Sequence, residues 1–206
     1  MMQLKVCGIT RKEDLEKLVD LGVHYAGFIF YEKSPRFVGN KLDARTVRET
    51  KGILKVGVFV NAPLEQVKQL ISSYGLHLVQ LHGDEDPAYC AALQSLVPVI
   101  RAFRIGEDID WATLEEFVPV TNYFLFDTAA GKAYGGTGKL FNWELLNSYP
   151  YDHPFFLSGG IGPDQLEDLL VFDHPALFAA DVNSKFETAP GVKDMDKVQQ
   201  FSTKIL

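Results

Sequence analysis

The stretch LKVCGITRKEDLEKLVDLG (residues 4–22) holds one full unit of the fold. LKVC is a short apolar run, GIT is its exit, and Leu15, Leu18, Val19 and Gly22 then recur at helical spacing. Thr10 followed by Glu13 has the form of a capping box, which predicts the helix start at Thr10. The unit returns along the chain. Runs at 25–30 (YAGFIF), 54–60 (LKVGVFV), 77–81 (HLVQL), 97–103 (VPVIRAF), 122–127 (NYFLFD), 154–160 (PFFLSGG) and 176–182 (ALFAADV) bring the strands to eight. Helical segments lie between most of them. Leu64, Val67, Leu70 and Ile71 mark one, Asp86-Pro87 and Gly162-Pro163 mark two starts, and 195–205 reads as a closing helix. The segments around 114–117 and 143–146 leave room for only one or two turns.

Strands that alternate with helices pair in parallel, because a parallel neighbour needs a crossover of about a dozen residues. Both faces of such strands are covered, so their sequences are almost continuously apolar. Eight units predict an α/β fold, a single (β/α)8 TIM barrel of short form spanning residues 1–206. The competing architecture is a doubly wound open sheet, and the lack of G-x-G-x-x-G after the first strand argues against its dinucleotide-binding version.

Composition narrows the function. With 47% apolar residues the chain can bury a large core. Its 20 Lys and Arg against 27 Asp and Glu give a net charge of −7, with no basic stripe, so no nucleic-acid partner is expected. Two cysteines, Cys7 and Cys90, make neither a disulfide framework nor a zinc pattern, so no metal is expected. The charges at Lys5, Arg11, Lys12, Glu13 and Asp14 exclude a signal-peptide core, and no apolar run is long enough for a membrane helix. The expectation is a cytoplasmic protein without a membrane partner, either monomer or homodimer.

Barrel chemistry sits at the C-terminal ends of strands, where Cys7, Asp127, Gly159 and Asp181 all fall. Each has a plain alternative. A free Cys is often a small apolar filler; as a thiolate, Cys7 would be a base or nucleophile. Asp127 ends an apolar strand, where an Asp can cap the loop or serve as a general acid; alternation puts Tyr123, Leu125 and Asp127 on one face. By the same alternation Lys5 shares a face with Cys7, and its buried ammonium requires a partner, for which Asp181 on the adjoining eighth strand is placed. Gly159-Gly160 and the segment with Asn183 and Ser184 follow strands seven and eight, the recurrent phosphate-binding position of this architecture, although a Gly-Gly turn can also stand without a ligand. Arg36 in SPRF can be a solvated surface residue or a two-pronged carboxylate holder, and His82 can titrate or simply lead into a helix. The Gly-rich loop TAAGKAYGGTGKLFNW (128–143) is long enough to cover a site.

Seven motifs occur in order: KVCGIT, FYEKSPR, QLHG, FDTAAG, GGTGKLFNW, LSGG and PGVKD. Together they resemble the phosphoribosylanthranilate isomerase family of tryptophan biosynthesis, from Lys5 to Asp194. The resemblance implies a cofactor-free barrel enzyme with a phosphorylated small-molecule substrate. It would rearrange N-(5-phosphoribosyl)anthranilate into 1-(2-carboxyphenylamino)-1-deoxyribulose 5-phosphate. It also implies Asp127 as the acid, Cys7 as the base, and Arg36 as the residue that orients the anthranilate part. One departure stands out: the family pattern S-S-G-V-E after the eighth strand is NSKFE here, with Lys185 in place of Gly. Two alternatives are another phosphate-sugar barrel enzyme of the indole-glycerol-phosphate synthase type and a non-catalytic phosphate-binding module. The first wants a Lys acid at the strand ends, and Lys5 lies two residues too deep. The second has no need of both Cys7 and Asp127.

Overall fold

A computed structural model of the chain describes residues 2–106, 109–128 and 142–206. Eight parallel strands close into a barrel in the order β1 to β8. They are β1 (Gln3–Val6), β2 (Tyr25–Ile29), β3 (Leu54–Phe59), β4 (Leu78–Leu81), β5 (Val99–Ile105), β6 (Tyr123–Thr128), β7 (Phe155–Leu157) and β8 (Leu177–Val182). The ring closes where Lys5 stands opposite Asp181 and Val6 opposite Val182. The fifth strand begins two residues later than the sequence run suggests. Pro98 has no N–H for a ladder, and its carbonyl instead accepts from Val79 N at 3.1 Å.

The outer layer holds α1 (Lys12–Asp20), α2 (Ala44–Glu49), α3 (Leu64–Tyr74), α4 (Pro87–Gln94), α5 (Leu166–Val171) and α6 (Met195–Ile205). The segments expected to be short are 3-10 turns, at Trp111–Val120 and Trp143–Ser148. Pro87 takes the first position of α4, and the Asp86 side chain accepts from Tyr89 N at 2.7 Å. None of the helices among the described residues is long and apolar enough to cross a membrane.

The start of α1 differs from the expected capping box. The N-cap is Arg11, with no side-chain cap, and Thr10 Oγ1 donates to Gly191 O instead. The reason is a two-stranded hairpin that follows β8: β9 (Glu187–Ala189) pairs antiparallel with β10 (Val192–Lys193). Its turn at Gly191, with φ of +84°, lies against Thr10, and Asp14 in α1 accepts from Lys193 N at 3.1 Å. Helix α1 is thus held to the hairpin rather than capped by its own chain.

Alternation sorts the strand residues into two cores. Leu4, Val6, Ala26, Phe28, Phe124 and Phe126 point outward and pack beneath the helices. Tyr25, Val56, Leu78, Ile100, Leu125, Phe156 and Ala179 fill the barrel interior. Tyr25 and Tyr123 each meet Phe156 edge to face, with centroids 5.6 and 5.5 Å apart. This plug closes the interior, so the polar residues further along the same strands are displayed at one mouth.

Candidate active site

The β1 side of the mouth is built around a buried thiol. Cys7 follows β1, its N–H donates to Val182 O at 2.9 Å, and it is 4% exposed. A methyl group at Gly27 of β2 would lie 2.7 Å from Cys7 Sγ, so that glycine makes the space for the thiol. Two residues deeper, Lys5 is fully buried and its Nζ donates to Asp181 Oδ1 at 2.8 Å, the pairing that the alternation anticipates. Burial opposes the Lys5 ammonium, but Asp181 and Cys7 outweigh it and hold its pKa above the ordinary value. Burial raises the Cys7 pKa as well; Lys5 and Lys193 pull against this without cancelling it. Burial thus favours the neutral thiol, while the Lys5 and Lys193 side chains beside it favour the thiolate.

The β6 side presents a carboxylate. Asp127 is 7% exposed and its Oδ1 accepts from Thr128 N at 2.8 Å. Its Oδ2 lies 3.4 Å from His82 Nε2. The Gln80 side-chain amide lies 2.9 Å from His82 Nδ1, which holds the imidazole ring in front of Asp127. The turn that carries His82 is tied down by Glu85. Its carboxylate accepts from Asn61 N at 2.7 Å and Gly83 N at 2.9 Å, while Arg101 donates to Leu81 O at 3.1 Å and Gly83 O at 3.2 Å.

Between these sides lie the loops after β7 and β8. Gly159 and Gly160 both have positive φ, +88° and +76°. A Cβ at Gly159 would stand 2.7 Å from Thr128 N and 3.1 Å from Asp127 Oδ1, so the loop passes directly over the carboxylate. Ser184 opens a 3-10 turn, Ser184–Phe186, preceded by Asn183. Lys185 lies within that turn and needs no left-handed conformation: among the described residues only Asn61 carries positive φ without being glycine. The stem of Lys185 runs along Gly162, in a pocket of about 320 Å³ that Gly160, Gln165 and Lys197 also line.

Arg36 is not a free surface residue. Its Nε and Nη2 donate to Glu187 of β9 at 2.8–2.9 Å, and Lys193 of β10 donates to the same carboxylate at 2.8 Å and to Asn183 Oδ1 at 2.9 Å. The stems cross above Gly8, whose φ is +77°; a Cβ there would stand 2.8 Å from Asn183 Oδ1 and 2.9 Å from Arg36 Cδ.

The structure thus gathers Cys7, Arg36, Asp181 and Asn183 on one side of the mouth, and Asp127 and Gly159 on the other. Asp181 interacts with Lys5 and also with Asp127 and His82, so the two sides share one electrostatic environment. The Gly-rich cover at 129–141 lies outside the described residues. Sequence reasoning passed over Gly27, Glu187 and Lys193. The Pro190-Gly191 turn was the available signal for the hairpin that joins the last two. No group of three or more His, Cys, Asp or Glu among the described residues could hold a metal ion, and both cysteines are free.

The pattern of the N-(5'phosphoribosyl)anthranilate (PRA) isomerase family matches residues 4–204. The N-(5'-phosphoribosyl)anthranilate isomerase of Parabacteroides distasonis is 40% identical over 208 residues, spanning 100% of this chain and 94% of that protein. The crystal structure of phosphoribosyl anthranilate isomerase from Thermus thermophilus superposes with a TM-score of 0.85 at 28% identity, covering 99% of this chain and 98% of that one. A phosphoribosyl anthranilate isomerase in complex with reduced 1-(o-carboxyphenylamino)-1-deoxyribulose 5-phosphate superposes with a TM-score of 0.81 at 30% identity, with coverage of 99% and 98%. A closed barrel with this mouth, and a family pattern running almost end to end, place the chain in the N-(5'-phosphoribosyl)anthranilate isomerase family.

Proposed function

We propose that the chain converts N-(5'-phosphoribosyl)anthranilate into 1-(2-carboxyphenylamino)-1-deoxyribulose 5-phosphate, with Asp127 as general acid and Cys7 as general base. The reaction is an internal redistribution of protons. The ribose ring oxygen gains a proton, the C1'–O bond breaks and an iminium forms; C2' then loses its proton, and the resulting enolamine tautomerises to the ketone. Atoms and electrons balance without a cofactor. An acid and a base are needed on different sides of the sugar.

The observation that carries this reading is the strand order. Asp127 is the penultimate residue of β6 and Cys7 follows β1, with β7 and β8 between them in the ring. A phosphate held at Gly159, Gly160, Asn183 and Ser184 sends its ribose across the mouth between the two groups. Asp181 keeps the Lys5 ammonium charged beneath Cys7, and Arg36 orients the anthranilate carboxylate. A buried thiol is a poor acid but, once ionised, a strong base, and Lys5 and Lys193 offset part of the cost of ionising it.

The test is turnover of freshly generated phosphoribosylanthranilate, followed by loss of anthranilate fluorescence. Cys7→Ala and Asp127→Asn are each expected to lower kcat by about a hundredfold or more, the scale of general acid–base groups, with a much smaller change in KM. A Cys7→Ala enzyme that keeps more than about a tenth of wild-type kcat would show that the thiol is not the base.

A further inference from the structure

Arg36 is read above as the holder of a ligand carboxylate, yet its two-pronged contact is already occupied. Glu187 takes the guanidinium side-on, through Nε and Nη2, at 2.8–2.9 Å. A guanidinium has five N–H donors in a rigid fork, and this contact uses one edge only. The remaining edge runs from Nη1 to the outer N–H of Nη2. Among the described residues nothing bonds to Nη1. Glu187 is itself fixed: besides Arg36 it accepts from Lys193 Nζ at 2.8 Å and from Gly191 N at 3.1 Å. Burial alone would push its carboxyl up, but the bonds from Arg36 and the Lys193 ammonium hold it below the ordinary value.

The Lys193, Glu187 and Arg36 side chains are 0%, 4% and 13% exposed. Burial holds the Lys193 pKa below its ordinary value, with Glu187 opposing, and buried Asp14 accepts from the Lys193 main chain. Glu187 is therefore occupied by its own partners, and the open edge of Arg36 offers an anion a two-pronged, charge-assisted contact.

We propose that Glu187 is a positioning residue for substrate recognition: by occupying the Nε edge of Arg36 it locks the guanidinium so that the Nη1–Nη2 edge is the one presented to the aryl carboxylate. Lys193 keeps Glu187 ionised and in place. The inference rests on the functional reading above and goes beyond it, because it assigns ligand selectivity to a carboxylate that carries the same sign of charge as the group being selected.

The experiment is calorimetric binding of two ligands, reduced 1-(o-carboxyphenylamino)-1-deoxyribulose 5-phosphate and its analogue without the ring carboxylate. Wild-type protein is expected to prefer the carboxylated ligand by about tenfold or more, the scale of a charge-assisted bidentate contact. In Glu187→Gln the preference should fall below about threefold, and the substitution should add nothing in an Arg36→Met background, as coupling through a shared partner requires. In turnover the same variant should raise KM far more than it lowers kcat. If Glu187→Gln does not fold, Glu187→Gln/Lys193→Met removes one cation together with the carboxylate and takes its place. A variant that keeps or sharpens the preference, as simple removal of a repelling charge would produce, overturns the proposal, and so does an effect that persists without Arg36. Wild-type protein that binds neither ligand overturns the functional reading together with this one.

Discussion

Replacing Lys5 by Met is a direct test of how the barrel floor is held. The two side chains are close in length, so the change removes a charge and little volume. Lys5 and Asp181 are 0% and 5% exposed and 2.8 Å apart, and the carboxylate left behind lies in the field of Asp127. Removing one partner from a buried pair costs about 3–5 kcal/mol, because the other charge stays desolvated and unpaired. For a chain of this size each kcal/mol lowers Tm by about 2–4 °C, so a fall of roughly 6–20 °C is expected. Urea unfolding at neutral pH measures the cost directly. The stranded Asp181 escapes by taking up a proton, so its folded pKa lies above that of the unfolded chain. The deficit relative to wild type should accordingly narrow as pH falls toward the unfolded carboxylate value of about 4. The double variant Lys5→Met/Asp181→Leu, which removes both charges, should return to within about 1 kcal/mol of wild type or exceed it. A single variant that loses less than about 1 kcal/mol, or a double variant no better than the single, would refute the argument that desolvation of the orphaned charge sets the cost.

Other outcomes follow from the same structure. Because burial raises the Cys7 pKa, kcat/KM should still be climbing with pH through about 8.5, and a plateau complete by about pH 7 would contradict a buried thiol as base. Gly159→Ala places a methyl 2.7 Å from Thr128 N, the group that fixes Asp127; a drop in kcat of about tenfold or more is expected, and unchanged kinetics would separate the loop from the acid. Lys185→Gly removes an exposed side chain from a turn of ordinary conformation, so kcat/KM should change by less than about tenfold; a large rise in KM that high salt suppresses would identify its ammonium as a phosphate ligand. His24, His77, His153 and His174 are all held below their ordinary pKa by burial. The unfolded chain therefore binds protons that the folded one refuses, and the urea midpoint should decline as pH falls below about 6.5; a midpoint flat down to about pH 5 would contradict it.

The legible parts of this molecule are those governed by local periodicity. Apolar runs separated by helical segments imply parallel strands, and the period of two that puts Leu4 and Val6 under the helices also puts Lys5 and Cys7 inside. Asp127 and Asp181 were legible for the same reason. What escaped depends on distant contacts. Thr10 has the local form of a cap, but its hydroxyl is taken by Gly191, 181 residues away. Glu187 and Lys193 look like ordinary surface charges until the hairpin brings them onto Arg36, 151 residues from Glu187. Gly27 reads as a weak point in a strand, and only the proximity of the Cys7 sulfur explains it.

The closure of the ring has a consequence for biosynthesis. Cys7 emerges from the ribosome long before its surroundings: Asp181 for Lys5, Asn183 for the space above Gly8, and the Lys193 side chain beside it. Until then β1 has one open edge, and Lys5 remains in water because burial without Asp181 is prohibitive. The step that seals the barrel joins residues 176 positions apart, so its contacts are among those with the greatest loop-closure cost. A nascent chain that has not yet reached this point carries the Cys7 thiol exposed and unassisted; the mouth of the barrel takes shape only when β8 and the hairpin join it.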